Sequence, residues 1–455
     1  MQNVFSAAAS VQAMLDFEAA LARAEAASGV IPASAARRIA AKCRVALFDL
    51  QALSRDSRQA GNIAIPLVKQ LTALVARDSA AAARYVHWAA TSQDAIDTGL
   101  ELQVRRALAV IDAQLLQLGA TLAKLSAAHS TTLMAGRTWA QQALPVPLGL
   151  KTAAALSAVT RHRRRLGTLR AEMAVLQFGG AAGTLASLGE GGLDVSAALG
   201  RELDLVVPAL PWHSQRDRIA ETGATLGLVV GTLGKLARDV SLLMQTEVGE
   251  AFEPAAQGKG GSSTMPHKRN PVGCALVLSA ALRVPALVST LLSAMLQEHE
   301  RGLGGWHAEW ETLPEIFNLA SGALEHMNEL LAGLEVRPDQ MKRNLEATRG
   351  LLLAEAVSME LGRHIGRVAA HALLEEACRR AVREDRHLRD VVLEHATVRK
   401  YLAPAAIRRL FEPARYTGVA RPFIRRAIAE WRADLRNNAS GAEKQAAGGR
   451  KVKTR

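Results

Sequence analysis

Residues 107–125 read ALAVIDAQLLQLGATLAKL, and their spacing decides the fold class. Leu108, Ile111, Leu115, Leu118, Leu122 and Leu125 follow one another at intervals of 3-4-3-4-3. That rhythm gathers all of them on one face of an α-helix and scatters them over both faces of a strand. Held over about five turns, it is the apolar seam of a helix bundle. Residues 219–248 broaden the pattern with Leu226, Val229, Val230, Leu233, Leu236, Val240 and Leu243. A helix apolar nearly all round needs cover on most sides, which predicts a bundle shared between subunits. Residues 272–300 give a third apolar helix, with a kink expected at Pro285. No stretch has a convincing strand period, and no βαβ alternation or 20–50-residue repeat occurs. The expected class is all-α, three domains around a central long-helix bundle.

Boundaries are expected near residue 106, before the seam, and at Arg349-Gly350, where a new helical run begins. They divide the chain into residues 1–106, 107–350 and 351–436. Residues 437–455 are rich in Ala, Gly, Lys and Arg without an apolar period and are expected to be a disordered tail. Over 455 residues, 49% hydrophobic and 22% charged residues make an ordinary globular balance. Three cysteines, Cys43, Cys274 and Cys378, exclude a disulfide scaffold and are expected as reduced thiols in the cytoplasm. The apolar run after Val272 is broken by Arg283 and Pro285 and is read as short of the ~20 residues a bilayer requires. The N-terminus lacks a basic segment followed by an apolar one, so neither a leader nor a membrane partner is expected. The net charge is +13, of which residues 436–455 carry +5, and aromatics amount to 4%. Basic residues do not alternate with aromatics, so nucleic acid is not an expected partner. A substrate with several carboxylates suits the same charge.

The chemistry concentrates at residues 258–271, GKGGSSTMPHKRNP. Three glycines in four positions free the backbone. Serines, Lys268 and Asn270 add hydroxyls, a cation and an amide. Pro271 is suited to open a helix, whose first N–H groups attract anions. Such a polar, glycine-rich loop suits a closing lid.

The segment GSSTMPHKRNP (261–271) resembles the fumarase/aspartase superfamily signature GSSxMPxKxNP. HWAATSQD (87–94) and GRTWAQQALP (136–145) resemble the two other motif regions, in the same order. Within that superfamily the chain is most similar to the muconate-lactonising branch, over roughly residues 1–430. The likeness rests on MLDFEAALARAEA (14–26), GNIAIPLVK (61–69), HWAATSQDAIDTGL (87–100), LQFGGAAGTLASLG (176–189), PWHSQRDR (211–218) and WHAEWETLPEI (306–316). The resemblance implies three all-α domains and a homotetramer whose active sites each join motif regions from three subunits. It implies no metal and no cofactor.

Two departures are informative. Gln142 stands where most of the superfamily has a histidine, and Ala275 where it has that histidine's glutamate partner. Lyases that expel an amine or hydroxide use a general acid worth roughly 10²–10⁴-fold. Lactonisation adds the substrate's own carboxylate to a double bond and expels nothing. Its attack is intramolecular, so proximity lowers the barrier. The resemblance implies conversion of 3-carboxy-cis,cis-muconate to 4-carboxymuconolactone, which the two departures fit; the alternative is another lyase of the superfamily, adenylosuccinate lyase first.

By resemblance, Ser262 moves the proton, with Ser263 as the fallback, and Lys268 stabilises charge. Lys268, Asn270, Thr91, Ser92 and Arg137 are expected to bind substrate carboxylates, with Thr138, Gln142 and His87 beside them. Plainer roles stand next to these. Thr91 or Ser92 could cap the following helix, with Asp94 in its first turn. Arg137 could pair with a glutamate, and Trp139 could shape the pocket or only pack. His267 is a further candidate contact. The His299-Glu300-Arg301 cluster could meet a third carboxylate or form a solvated face. His307 and Glu309 have no metal-ligand spacing.

Overall fold

The structure, a computed structural model, describes residues 1–255, 260–261 and 264–452, with side chains as far as Asn437. Its described residues are overwhelmingly helical. The long helices are α1 (Ala7–Ala27), α2 (Ser92–Ala128), α3 (Leu148–Met173), α4 (Asp217–Leu243), α5 (Val272–Ala294), α6 (Gly305–Ala332) and α7 (Ala420–Val452). The chain forms two compact units. One comprises residues 1–115, 162–231 and 279–325; the other comprises 116–161, 232–278 and 326–455.

The seam behaves as its spacing dictates: Leu108, Ile111, Leu115, Leu118 and Leu122 of α2 are all fully buried. The seven α4 positions from Leu226 to Leu243 are buried as well. In the first unit, α1 is covered on two sides. Val11, Leu15 and Ala22 pack with Ile39, Leu53 and Leu71. Phe17, Leu21 and Ala24 pack with Leu102, Val195 and Leu199. Below these lies a polar knot. The Arg216 guanidinium, 1% exposed, bonds both Asp97 oxygens (2.7 and 3.2 Å) and both Glu309 oxygens. Asp97 also accepts from Trp306 Nε1 at 3.0 Å and Gln93 Nε2 at 3.0 Å. Both carboxylates are thus matched by one planar cation in the low-dielectric interior.

In the second unit, Leu353, Val357, Leu361, Leu374, Val391 and Ile407 form the core of the C-terminal helices. Here α2 lies against α7 so closely that a Cβ on Gly119 would sit 2.2 Å from the Trp431 ring. Gly119→Ala is therefore expected to destabilise the chain by about 1–3 kcal/mol through overpacking, although alanine is the better helix former by ~1 kcal/mol. Urea midpoints of the variant and parent check this; a more stable variant contradicts the packing.

Three elements depart from the sequence expectation. A hairpin, β1 (Leu133–Thr138) antiparallel to β2 (Gln141–Pro147), carries the second motif. A bulge at Gly136 and apolar residues on both faces erase a period of two. Next, α5 runs unbroken through Arg283 and Pro285 and is long and apolar enough to cross a membrane by length and composition. Arg283 pairs with Glu315, so the charge does not end the helix. Finally, α7 is helical to Val452, past the expected end of order near Asn437. Ala, Arg, Lys, Glu and Gln there are strong helix formers even without an apolar face.

Candidate active site

The first motif lies in the first unit. His87 and Ala89 both take left-handed backbone angles (φ 57° and 58°), which turn the chain into α2. Thr91 occupies the cap position, but its hydroxyl does not cap. Asp94 instead reaches back to the Thr91 N–H at 3.0 Å, as the acidic member of a capping box does. The Thr91 hydroxyl accepts a hydrogen bond from Arg301 at 2.9 Å. Arg301 also donates to the Ala181 carbonyl at 2.9 Å. Asp94 is fully buried and accepts three further bonds, from Gly179 N–H (3.0 Å), Gly180 N–H (2.9 Å) and His213 Nε2 (2.7 Å). One carboxylate thereby ties the motif to the glycine turn and to the segment before α4. Gly179 is required here, since a Cβ would lie 2.8 Å from the His213 ring. Ser92 is half-buried with no hydrogen bond among the described residues. His87 Nδ1 lies 2.5 Å from Glu18 Oε1.

The second motif forms the hairpin of the second unit. Trp139 and Ala140 make its tip with φ of 52° and 62°, the paired left-handed turn that matches strand twist. Neither is glycine, so the tip is strained. Trp139 is 99% exposed: within this chain it neither packs nor lines a pocket. Arg137 is committed elsewhere. Its two terminal nitrogens reach the two Glu250 oxygens at 2.9 Å each, and Asn344 donates to the same buried carboxylate. Of its two expected roles, pairing with a glutamate is the one the geometry shows. Thr138 is exposed beside the tip, and Gln142, opposite Arg137 in the register, keeps its carbonyl oxygen buried without a partner among the described residues.

The third motif, also in the second unit, is staked at its ends. Asn270 N–H bonds the Gly260 carbonyl at 2.8 Å. Gly260 has φ 71°, and a Cβ there would lie 2.7 Å from the Asn270 oxygen. Asn270 Nδ2 reaches the Gly261 carbonyl at 3.3 Å. Arg269 clamps Glu335 with two bonds (2.9 and 2.8 Å), donates to the Glu253 carbonyl, and lies over Phe252. The N–H groups opening α5 do not await a substrate anion, as its sequence suggests. Glu253 fills them, accepting from Gly273 at 3.0 Å and Cys274 at 2.7 Å. Burial, and then that carboxylate, push the Cys274 thiol far up, so it is no nucleophile. Lys268 and His267 are exposed, and Lys268 has no partner among the described residues. Glu253, Pro254, Gly261, Lys268, Arg269 and Asn270 line an open cleft of about 230 Å³. Ser262 and Ser263 lie outside the described residues.

Several functional contacts escaped the sequence. Arg301 joins the first motif rather than a solvated face, while His299 and Glu300 are exposed. Glu309 is Arg216's partner, and the His307 ring lies tilted against Trp310, centroids 4.6 Å apart. Glu18, Glu250, Glu253 and His213 hold motif residues from distant sequence positions, and no spacing rule links them.

Residues 1–286 match the family described as lyase, and residues 350–427 match the adenylosuccinate lyase C-terminus. The chain belongs to the lyase family. It is 58% identical over 430 residues, 94% of each chain, to the 3-carboxy-cis,cis-muconate cycloisomerase of Pseudomonas aeruginosa. To the enzyme of the same name from Pseudomonas putida it is 56% identical over 392 residues, 86% of this chain and 93% of that one. The crystal structure of 3-carboxy-cis,cis-muconate lactonizing enzyme from Pseudomonas putida aligns with a TM-score of 0.91 at 52% identity, covering 96% of this chain and 97% of that one.

Proposed function

We propose that the chain lactonises 3-carboxy-cis,cis-muconate to 4-carboxymuconolactone. The observation that carries this reading is the 58% identity over 94% of both chains to a cycloisomerase of that substrate. The site agrees with it. Gln142 and Ala275 stand at the relay positions, and neither side chain can deliver a proton to a leaving group. In lactonisation a distal carboxylate oxygen bonds to the carbon bearing the extra carboxyl. The electron pair of that double bond moves to the neighbouring carbon and into its carboxylate, and one proton is then added at the neighbouring carbon. Nothing leaves, so no relay is required.

In this reading Ser262 delivers the proton, with Ser263 as the fallback. Lys268, an exposed cation without a partner among the described residues, stabilises the charge that develops; one such fixed donor is worth roughly 2.7–4 kcal/mol. Asn270, Thr91, Ser92, Thr138, Gln142 and His87 line the substrate, and Arg301 adds a cation beside Thr91. Arg137 acts through Glu250 to hold the hairpin.

The active enzyme is a homotetramer with shared sites. Leu282 and Leu292 of α5 are 80% and 53% exposed, an apolar face that a lone chain leaves wet. The strained hairpin holding Trp139 in solvent supports insertion of that tip into another subunit. A cytoplasmic setting suits three free cysteines.

The test is loss of the conjugated diene's ultraviolet absorbance with 3-carboxy-cis,cis-muconate in the presence of EDTA. Fast, chelator-resistant decay is expected. No decay by a folded tetramer, together with cleavage of adenylosuccinate, would reject the substrate.

A further inference from the structure

We propose that Glu18 is a positioning residue that holds the His87 ring at the first motif as a fixed, carboxylate-binding cation. The inference rests on the reading of His87 as a substrate contact and extends it to a residue outside all three motifs. The geometry is specific. Glu18 projects from α1, is 1% exposed, and places Oε1 2.5 Å from His87 Nδ1. His87 is 15% exposed, and no hydrogen bond engages its Nε2 among the described residues. One ring nitrogen is therefore anchored to a buried carboxylate, which fixes the orientation of the other. The backbone reinforces this, because His87 is held at φ 57°, a conformation a histidine adopts only when its surroundings impose it.

The charges around the ring favour its protonated form. Burial works against the imidazolium, but Glu18 and then Asp94 outweigh it and raise the His87 pKa. Further along α1, Glu25 is pushed up to about 9 by burial and by Glu18, so it stays in its acid form at neutral pH. Asp94 is shared with His213, and Arg301 sits on Thr91. A ring biased toward its charged form beside the start of α2 attracts one carboxylate of a tricarboxylate substrate. Because that carboxylate does not react, the attraction acts on ground state and transition state alike and is read in KM rather than kcat.

The sign follows from the raised value: His87 is charged below its pKa and loses the charge as pH rises through it. Glu18→Gln keeps a hydrogen-bond acceptor and removes the charge, so burial then lowers the pKa. The test has two readouts on the full-length enzyme. Deuterium exchange at the histidine Cε1, read by mass spectrometry in the tryptic peptide of residues 85–105, follows His87 alone, since that peptide contains no other histidine. E18Q is expected to lower its titration midpoint by at least about one pH unit, a roughly tenfold change in protonation ratio. KM for 3-carboxy-cis,cis-muconate, compared at pH 6 and pH 8, is then expected to be higher in E18Q than in the parent wherever the parent ring is charged and the variant's is not, with kcat nearly unchanged. His87→Asn repeats the test from the other partner: KM rises at both pH values, because no pH restores the charge. An unmoved midpoint in E18Q overturns the role of Glu18. A moved midpoint with an unmoved KM overturns His87 as the cation. Absence of turnover in the parent counts against the proposed substrate instead, and the midpoint still decides the Glu18 contact.

Discussion

Replacing Ser262 by alanine is expected to lower kcat on 3-carboxy-cis,cis-muconate about 10³-fold, within the roughly 10²–10⁴-fold range of a positioned proton donor. The reaction has one proton to deliver, to carbon, and both positions of the usual relay carry Gln142 and Ala275. A serine hydroxyl is a weak acid and base, so its alkoxide needs nearby donors; Lys268 is the uncommitted cation among the described residues of that loop. The substitution removes a single oxygen outside the helical core, which should stay intact. Circular dichroism and size-exclusion light scattering check that, and steady-state rates check the chemistry. A variant with near-parental kcat removes Ser262 from the mechanism and passes the role to Ser263.

The second large effect is on stability. Arg216→Met should destabilise the chain by about 3–5 kcal/mol, because removing the cation leaves Asp97 and Glu309 buried and unbalanced. In the intact protein burial already raises the Glu309 pKa, and Arg216 pulls against that shift. Without the arginine, the folded state binds a proton on Glu309 more readily than the unfolded chain does. Such groups add stability below their folded pKa and withdraw it as pH rises through that value. The deficit should therefore be large at pH 7–8 and shrink toward pH 5. Urea midpoints across that range test it. A variant as stable as the parent at pH 8 would mean that the carboxylates find other partners.

Much of the fold was legible because helix burial is periodic. The 108–125 seam and the α4 positions needed only a count of intervals, and their burial follows from packing. The hairpin was not legible. Its strands are short, Gly136 breaks their register, and its tip uses Trp139 and Ala140 where glycine or asparagine would have signalled a turn. At the site, the motif residues could be named from the sequence, but their commitments could not. Arg137 looked like an anion binder until Glu250, 113 residues away, took its charge. The opening of α5 looked like an anion site until Glu253 filled it. Long-range pairs of buried charges leave no spacing in the chain, because tertiary structure alone brings them together.

The reaction adds a carboxylate across a double bond and delivers a single proton to carbon. Turnover of 3-carboxy-cis,cis-muconate in D₂O, with the product followed by proton NMR, tests it most directly. One lactone is expected, 4-carboxymuconolactone, carrying a single deuterium in its new methylene group. Recovery of an unlabelled methylene, or of two fragments instead of a lactone, would contradict it.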